Sequence, residues 1–386
     1  MRVVLSVPGR FHLFNLAQQL LRRDYLLQLI TSYPKFEVQK YGIPPNKVSS
    51  LLIKEVLERS WRHLPAFVQR LYNPQYAIYQ SFDQLAKSRL NLSADLVVGS
   101  SSAFLETLRQ ARRAGAVTIV DRGSSHIVHQ ANLLRDEYAL WHLTPGALQV
   151  PHQRVIEKEL LEYEEADFIA IPSRFVLQSF VDRGVSEEKL VHIPYGVDLT
   201  EFKQAPKRDG VFRVVYAGHM SLRKGLPYLL QAFSELALPN SELLLVGAAT
   251  PEIDPFFRRY AGAFTWLDHV PQPRLHDYYS QGSVFVMASI EEGLAVVQAQ
   301  AMACGLPVIC TSNTGGADIV RDGVDGFVIP IRDVEAIKER LLYLYDHAEE
   351  REAMGQSAKD HVARRFTWDG YGERMVAFYE KALAAT

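Results

Sequence analysis

Two short stretches of the chain hold side chains suited to an anionic, hydroxyl-rich ligand. In VVYAGHMSLRKGLPYLLQAF, Val214–Phe233, a strand-like run ends at Gly218, a polar turn follows, and Lys224-Gly225 opens an apolar-periodic helix. Such a turn suits phosphate. Gly218 permits close backbone approach, the helix N-terminus offers free N–H groups, and Arg223 and Lys224 add full positive charge. The turn is neither a Walker A nor a G-x-G-x-x-G sequence, and strand–Gly–helix turns are common on their own. In SIEEGLAVVQAQAMACG, Glu292 and Gln300 are separated by seven residues. A strand ending near Ser289 and a helix beyond Gly293 set a carboxylate and fresh backbone N–H groups at the carboxyl edge of a parallel sheet, where such folds bind ligands. With ~3.6 residues per turn, Gln300 lies about 80° round the helix and two turns down, so both side chains reach one elongated ligand. The plainer reading makes Glu292 a helix cap and Gln300 a half-buried polar residue.

The elements that position these residues alternate. Val3–Val7, Leu27–Thr31, Asp95–Gly99 and Val117–Val120 are short β-branched runs separated by amphipathic stretches, the rhythm of parallel βαβ units. The rhythm restarts with Phe168–Ile171, Leu190–Ile193, Arg213–Ala217, Glu242–Val246, Val284–Met287 and Pro307–Cys310. Two doubly wound α/β domains are expected, linked near Ala166–Ser173, where the charged stretch Glu157–Asp167 gives way to a strand. A length of 386 residues, with 48% hydrophobic and 22% charged side chains, supports two cores and excludes a largely disordered chain.

A net charge of −2 argues against nucleic acid as a partner of the whole chain. The balance is uneven: residues 1–174 carry 21 basic and 16 acidic side chains, net +5, against 21 and 28, net −7, in the remainder. Residues 22–113 alone carry 14 basic and 7 acidic groups, a surplus that favours phosphates or anionic head groups. The stretch KEVLERSWRHLPAFVQRLYN reads as basic and aromatic helix, open both to a peripheral membrane contact and to a solvated insertion. Only Cys304 and Cys310 occur, which fits a reducing cytoplasm; no run is long and apolar enough for a transmembrane span or an export signal.

Taken in order, these blocks resemble the family 4 retaining glycosyltransferases. Their GT-B architecture is two Rossmann-like domains facing one another across a cleft. The resemblance spans ADFIAIPSRFVLQSFVDRGVSEEKLVHIPYGVDLTEF (residues 166–202), the Gly218-x5-Lys224-Gly225 turn, the Glu292-x7-Gln300 region, TGGADIVRDGVDGFVIPIRD (residues 314–333) and the closing FTWDGYGERMVAFYEKAL. It implies an acceptor-binding domain over residues 1–170, to which a crossover helix, 369–386, returns, and a nucleotide-sugar-binding domain over 171–368, with hinges near Pro172 and Trp368.

Carried over by position, the resemblance implies that Arg223 and Lys224 hold the donor diphosphate beside Gly218. Glu292 and the N–H groups of Gly293, Leu294, Ala295 and Val296 then contact the transferred sugar, Gln300 takes the ribose, and the base lies near Val270. Gly9, in Pro8-Gly9-Arg10-Phe11-His12, corresponds to a glycine loop approaching the donor. His126 corresponds in position to an active-site histidine, and Arg10, Asp121 and Arg122 are acceptor-side candidates. Three positions depart from the family: Gln300 where a second Glu is common, His219 where many members have Arg, and Tyr195 in place of Asn. An amide both donates and accepts where a carboxylate accepts twice, so Gln300 bears on donor choice.

With no Asp-x-Asp context at a strand end, Arg223, Lys224 and a helix N-terminus take the part of a metal cation, and no metal or other cofactor is called for. The expected activity is retaining transfer from a UDP- or GDP-sugar to a sugar or lipid-linked acceptor, in surface polysaccharide or glycolipid assembly. The expected location is the cytoplasm, with peripheral contact at the inner membrane face. A non-catalytic nucleotide-sugar binder and a GT-B epimerase are the alternatives.

Overall fold

The expected strands pair into two separate, fully parallel sheets. The structure is a computed structural model describing residues 1–65, 72–146 and 148–385; residues 66–71 of the basic, aromatic stretch lie outside the described residues. The first sheet runs β3-β2-β1-β4-β5-β6-β7. Its strands are β1 Val3–Val7, β2 Leu26–Thr31, β3 Val48–Ser50, β4 Leu96–Ser100, β5 Val117–Asp121, β6 Phe168–Ile171 and β7 Leu190–His192. The second runs β10-β9-β8-β11-β12-β13. It is built from β8 Phe212–Ala217, β9 Ser241–Val246, β10 Thr265–Leu267, β11 Val284–Met287, β12 Val308–Thr311 and β13 Gly326–Ile329. β1, β5, β11 and β12 are buried along their whole length, as the central strands of parallel sheets covered on both faces are.

Strand order reverses between β1 and β4 in the first sheet and between β8 and β11 in the second. The crevice beyond the carboxyl ends at such a reversal is where doubly wound sheets take ligands.

The domain boundary expected at 170/171 is corrected by the pairing. β6 and β7 both belong to the first sheet, with Ile169 opposite Leu190 and Ile171 opposite His192. The chain crosses to the second domain at Pro194–Val197, after β7, and Pro172 lies within the first domain between β6 and β7. Gly196 passes so close to the returning chain that a Cβ there would lie 2.3 Å from the Thr367 carbonyl carbon. The Val197 N–H donates to the Phe366 carbonyl at 2.8 Å, so both crossings run side by side. The helix Trp368–Ala384 then packs on the helix Leu13–Leu21 of the first domain. Gln19 Nε2 donates to Asp369 Oδ1 at 2.7 Å, and Tyr371, Met375 and Tyr379 are buried. Among the described residues no helix is long and apolar enough to cross a membrane.

Candidate active site

A cleft of about 1090 Å³ lies between the two domains. The first domain contributes Pro8, Arg10 and His12 after β1, Ser100–Ser102 after β4, and Asp121–Ser124 after β5; the second contributes Arg223, Leu294, Val296 and Gln300. The first crossing supplies Tyr195 and residues 197–202. The two topological reversals therefore open onto one space.

The turn after β8 is locked to the end of β11. Gly225 sits at φ +64°, and a Cβ there would come within 1.8 Å of the Ala288 carbonyl oxygen, a position only glycine fills. The Ile290 N–H donates to the Arg223 carbonyl at 2.8 Å. This register sets the two cations against two consecutive carboxylates. Arg223 Nε donates to Glu291 Oε2 at 2.9 Å and to the Glu291 carbonyl at 3.0 Å. Lys224 Nζ forms a close ion pair with Glu292, whose other carboxylate oxygen is 3.9 Å from Arg223 Nη2. Burial works against charge on both Arg223 and Glu291, yet the opposite charges prevail: the Arg223 guanidinium is held above its ordinary pKa and the Glu291 carboxyl below.

Glu291, which the sequence reading passed over, joins the two domains at this point. It is fully buried, and it accepts from the Ser125 N–H at 2.8 Å, the Ser125 hydroxyl at 2.7 Å and Gln130 Nε2 at 2.9 Å, all in the first domain. Next to it, Gly293 lies against the first domain so tightly that a Cβ would be 2.0 Å from the Gly123 carbonyl oxygen, and its own carbonyl accepts from Ser173 Oγ at 2.6 Å. The segment carrying the residues expected at the sugar is thus seated on the loop Gly123–Ser125, and the lobes are closed on one another. Of the N–H groups expected to face a sugar, that of Ala295 is committed to the Thr314 carbonyl at 3.2 Å. Leu294 and Val296 line the cleft, and the helix Val296–Ala303 begins there. Gln300, on that helix, is buried, lines the cleft and accepts from the Tyr279 hydroxyl at 3.4 Å.

The remaining expected residues divide. Arg10 lines the cleft and bridges the domains, donating to the Tyr41 hydroxyl at 2.6 Å and to Gln272 Oε1 at 3.1 Å. Asp121 lines it too, 2.8 Å from His12 Nε2. Arg122 reaches it but serves the fold: it pairs with buried Glu159 at 2.9 Å and donates twice to the Ser125 carbonyl, holding the loop that receives Glu291. Lys224, Glu292, Gly9 and Gly218 are not part of the cleft wall, although Arg223 beside the first pair and Pro8 and Arg10 beside Gly9 are. Val270 is half-buried against the core, also outside the wall, and Gln272 takes its place there.

The expectation for His126 is corrected. Its Nδ1 caps the helix Ile127–Leu140 by accepting from the Val128 N–H at 3.3 Å, and its ring packs between Tyr163 and Phe180, outside the cleft. Burial, aided by Arg122 and Arg183, drives its pKa down to about 3, so it is neutral near pH 7. The histidine that lines the cleft is His12, oriented by Asp121 and stacked on Tyr195 at 4.1 Å between centroids. Its placement after β1 was the available signal. Among the described residues no group of three or more His, Cys, Asp or Glu side chains is placed to hold a metal ion.

Two facing parallel-sheet domains with a cleft at both strand-order reversals define the GT-B class of fold. Sucrose-phosphate synthase from Thermosynechococcus elongatus superposes with a TM-score of 0.74 at 18% identity, covering 100% of each chain. Anabaena HepE in complex with UDP-glucose gives 0.71 at 16%, covering 99% of this chain and 100% of that one. Residues 211–347 match the family described as Glycosyl transferases group 1. The chain is 26% identical over 290 residues to a GDP-mannose-dependent monoacylated alpha-(1-6)-phosphatidylinositol monomannoside mannosyltransferase of Corynebacterium glutamicum, 69% of this chain and 70% of that one. The chain thus has the GT-B fold of glycosyltransferases, and its second domain carries the match to the group 1 family.

Proposed function

We propose that this chain is a retaining, metal-independent family 4 glycosyltransferase that moves a sugar from a nucleotide diphosphate to an acceptor hydroxyl, in glycolipid or surface polysaccharide assembly. The observation that carries this reading is the pairing of Arg223 with Glu291 and of Lys224 with Glu292 at the strand-order reversal of the second sheet, beside the cleft. A diphosphate drawn to these cations offers them anionic oxygens in place of the carboxylates. Glu292 is then released to accept from sugar hydroxyls, and the start of the helix Val296–Ala303 adds partial positive charge.

As the anomeric C–O bond to phosphate breaks, negative charge grows on the leaving oxygen, where fixed cations lower the barrier most. The acceptor hydroxyl attacks from the same face, and its proton passes to the departing phosphate. Glu292 positions the sugar and forms no bond to it. His12, held by Asp121, faces the cleft and takes the active-site place that the resemblance implied for His126.

Relatives named for GDP-mannose, and a structural neighbour holding UDP-glucose, support a UDP- or GDP-sugar donor. A thermal-shift panel of UDP, GDP and ADP with their common sugars, followed by NMR of the product's anomeric proton in the presence of a chelator, tests the proposal. Transfer with retained configuration supports it. Binding without turnover points to a sugar-nucleotide binder, and an isomerised donor points to an epimerase.

A further inference from the structure

The helix Ile53–Arg62 is amphipathic in the inverted sense. Three of its charged side chains turn inward: Lys54 pairs with Glu58 at 2.8 Å and with Glu55 at 3.2 Å, and Glu55 accepts from Ser32 Oγ at 2.8 Å. Its aliphatic side chains turn outward, with Leu52 at its N-cap 47% exposed, Ile53 42%, Val56 59% and Leu57 39%. A helix on a water-facing surface places these the other way round. The Ser32–Glu55 bond ties the preceding segment to this helix, and in that segment Lys35 and Phe36 are also exposed.

We infer that this face docks on the head-group region of an anionic lipid bilayer. Charge selects that occupant. Of the seven acidic side chains in the 22–113 stretch, Glu37, Glu55, Glu58, Asp83, Asp95 and Glu106 are taken up in ion pairs, and Asp24 is exposed just after the helix Leu13–Leu21. Arg59 on the helix and Lys35 beside Phe36 stay exposed, so the surface presents apolar side chains together with positive charge. A second copy of the chain seated here across a two-fold axis would set these cations against their own equivalents. The inner side of the same helix reaches the cleft through Lys54, which places the docked surface beside the first-domain end of the site. The inference deepens the proposed function, on which it rests for its consequence: the acceptor is lipid-linked and enters the cleft from the membrane side.

Vesicle flotation tests this with the full chain. Vesicles of equal parts phosphatidylcholine and phosphatidylglycerol are expected to carry the wild-type protein at low salt, phosphatidylcholine vesicles to carry little, and added salt to weaken the binding. Val56→Asp with Leu57→Asp is expected to reduce flotation by about tenfold or more. The nucleotide-induced thermal shift, read on the same double variant, is expected to stay at its wild-type value and shows that the fold and donor site persist. Equal flotation of variant and wild type overturns the inference, as does absent wild-type flotation or a wild-type dimer that the double variant dissolves. Loss of the nucleotide response in the wild type would instead refute the glycosyltransfer reading while leaving the flotation result standing.

Discussion

Arg223 and Lys224 act at the residue scale through charge that the neighbouring carboxylates keep in place. Lys224→Ala removes one of the two cations that the proposed mechanism sets against the leaving diphosphate and is expected to lower kcat/KM by about 100-fold, measured under steady-state conditions. Glu291→Gln keeps the shape but strips the charge that holds Arg223. The expected cost is about 2 kcal/mol in denaturant unfolding, below the full penalty of breaking a buried pair because the Arg223 side chain is partly exposed. His12→Ala is expected to slow turnover more than His126→Gln does.

For His126 the effect is on stability. Its folded pKa of about 3 lies below the unconstrained value of 6.5, so between these limits the unfolded chain binds a proton that the folded chain does not. The contribution is complete above pH 6.5 and declines as pH falls, by up to about 1.4 kcal/mol per pH unit. Urea unfolding of wild type and His126→Gln at pH 7 and pH 5 checks this: the stability difference should narrow at the lower pH.

Elements, rather than single side chains, decide where these residues stand. The turn Leu222–Lys224 is held by Gly225, whose positive φ and contact with Ala288 leave no room for a Cβ. Gly225→Ala is therefore expected to displace the whole cationic turn, weakening nucleotide binding together with thermal stability in one melting series. This turn was legible in the sequence because glycine, two cations and an apolar helix follow a strand in a fixed order. The short edge strands were not: β3, β10 and β13 have few residues and no alternation to reveal them. β7 was legible as a strand but not as a member of the first sheet, because three residues carry no sign of their partner. His126 shows a further limit. Position past a strand end was legible, but whether a ring turns to the cleft or caps its own helix depends on packing against Tyr163 and Phe180, which lie far along the chain. Glu291 went unseen because two adjacent glutamates read as one feature until their directions are known.

For the whole molecule, the closed arrangement is held by polar and close-packed contacts between lobes and by Trp141 of the first domain packed on Tyr228 and Phe256 of the second. Glu291 meets Ser125, Gly293 meets Gly123, Arg332 pairs with Glu137 at 2.7 Å, and Asp318 accepts from the Arg174 N–H at 3.0 Å. Interfaces of this kind permit hinge motion at the paired crossings near Gly196 and Thr367. Gly293→Ala puts a methyl where the Gly123 carbonyl stands and is expected to hold the lobes apart, read as a larger radius of gyration in solution scattering with nucleotide present.

Calorimetric titration of the wild-type chain and of Lys224→Ala with GDP and UDP, in excess chelator, bears most directly on how the second domain grips its donor. The expected result is binding of one of the two nucleotides without any divalent ion, weakened at least about tenfold in the variant. Binding that appears only on adding a divalent ion, or that is equally tight in Lys224→Ala, would contradict a diphosphate site built from fixed cationic side chains.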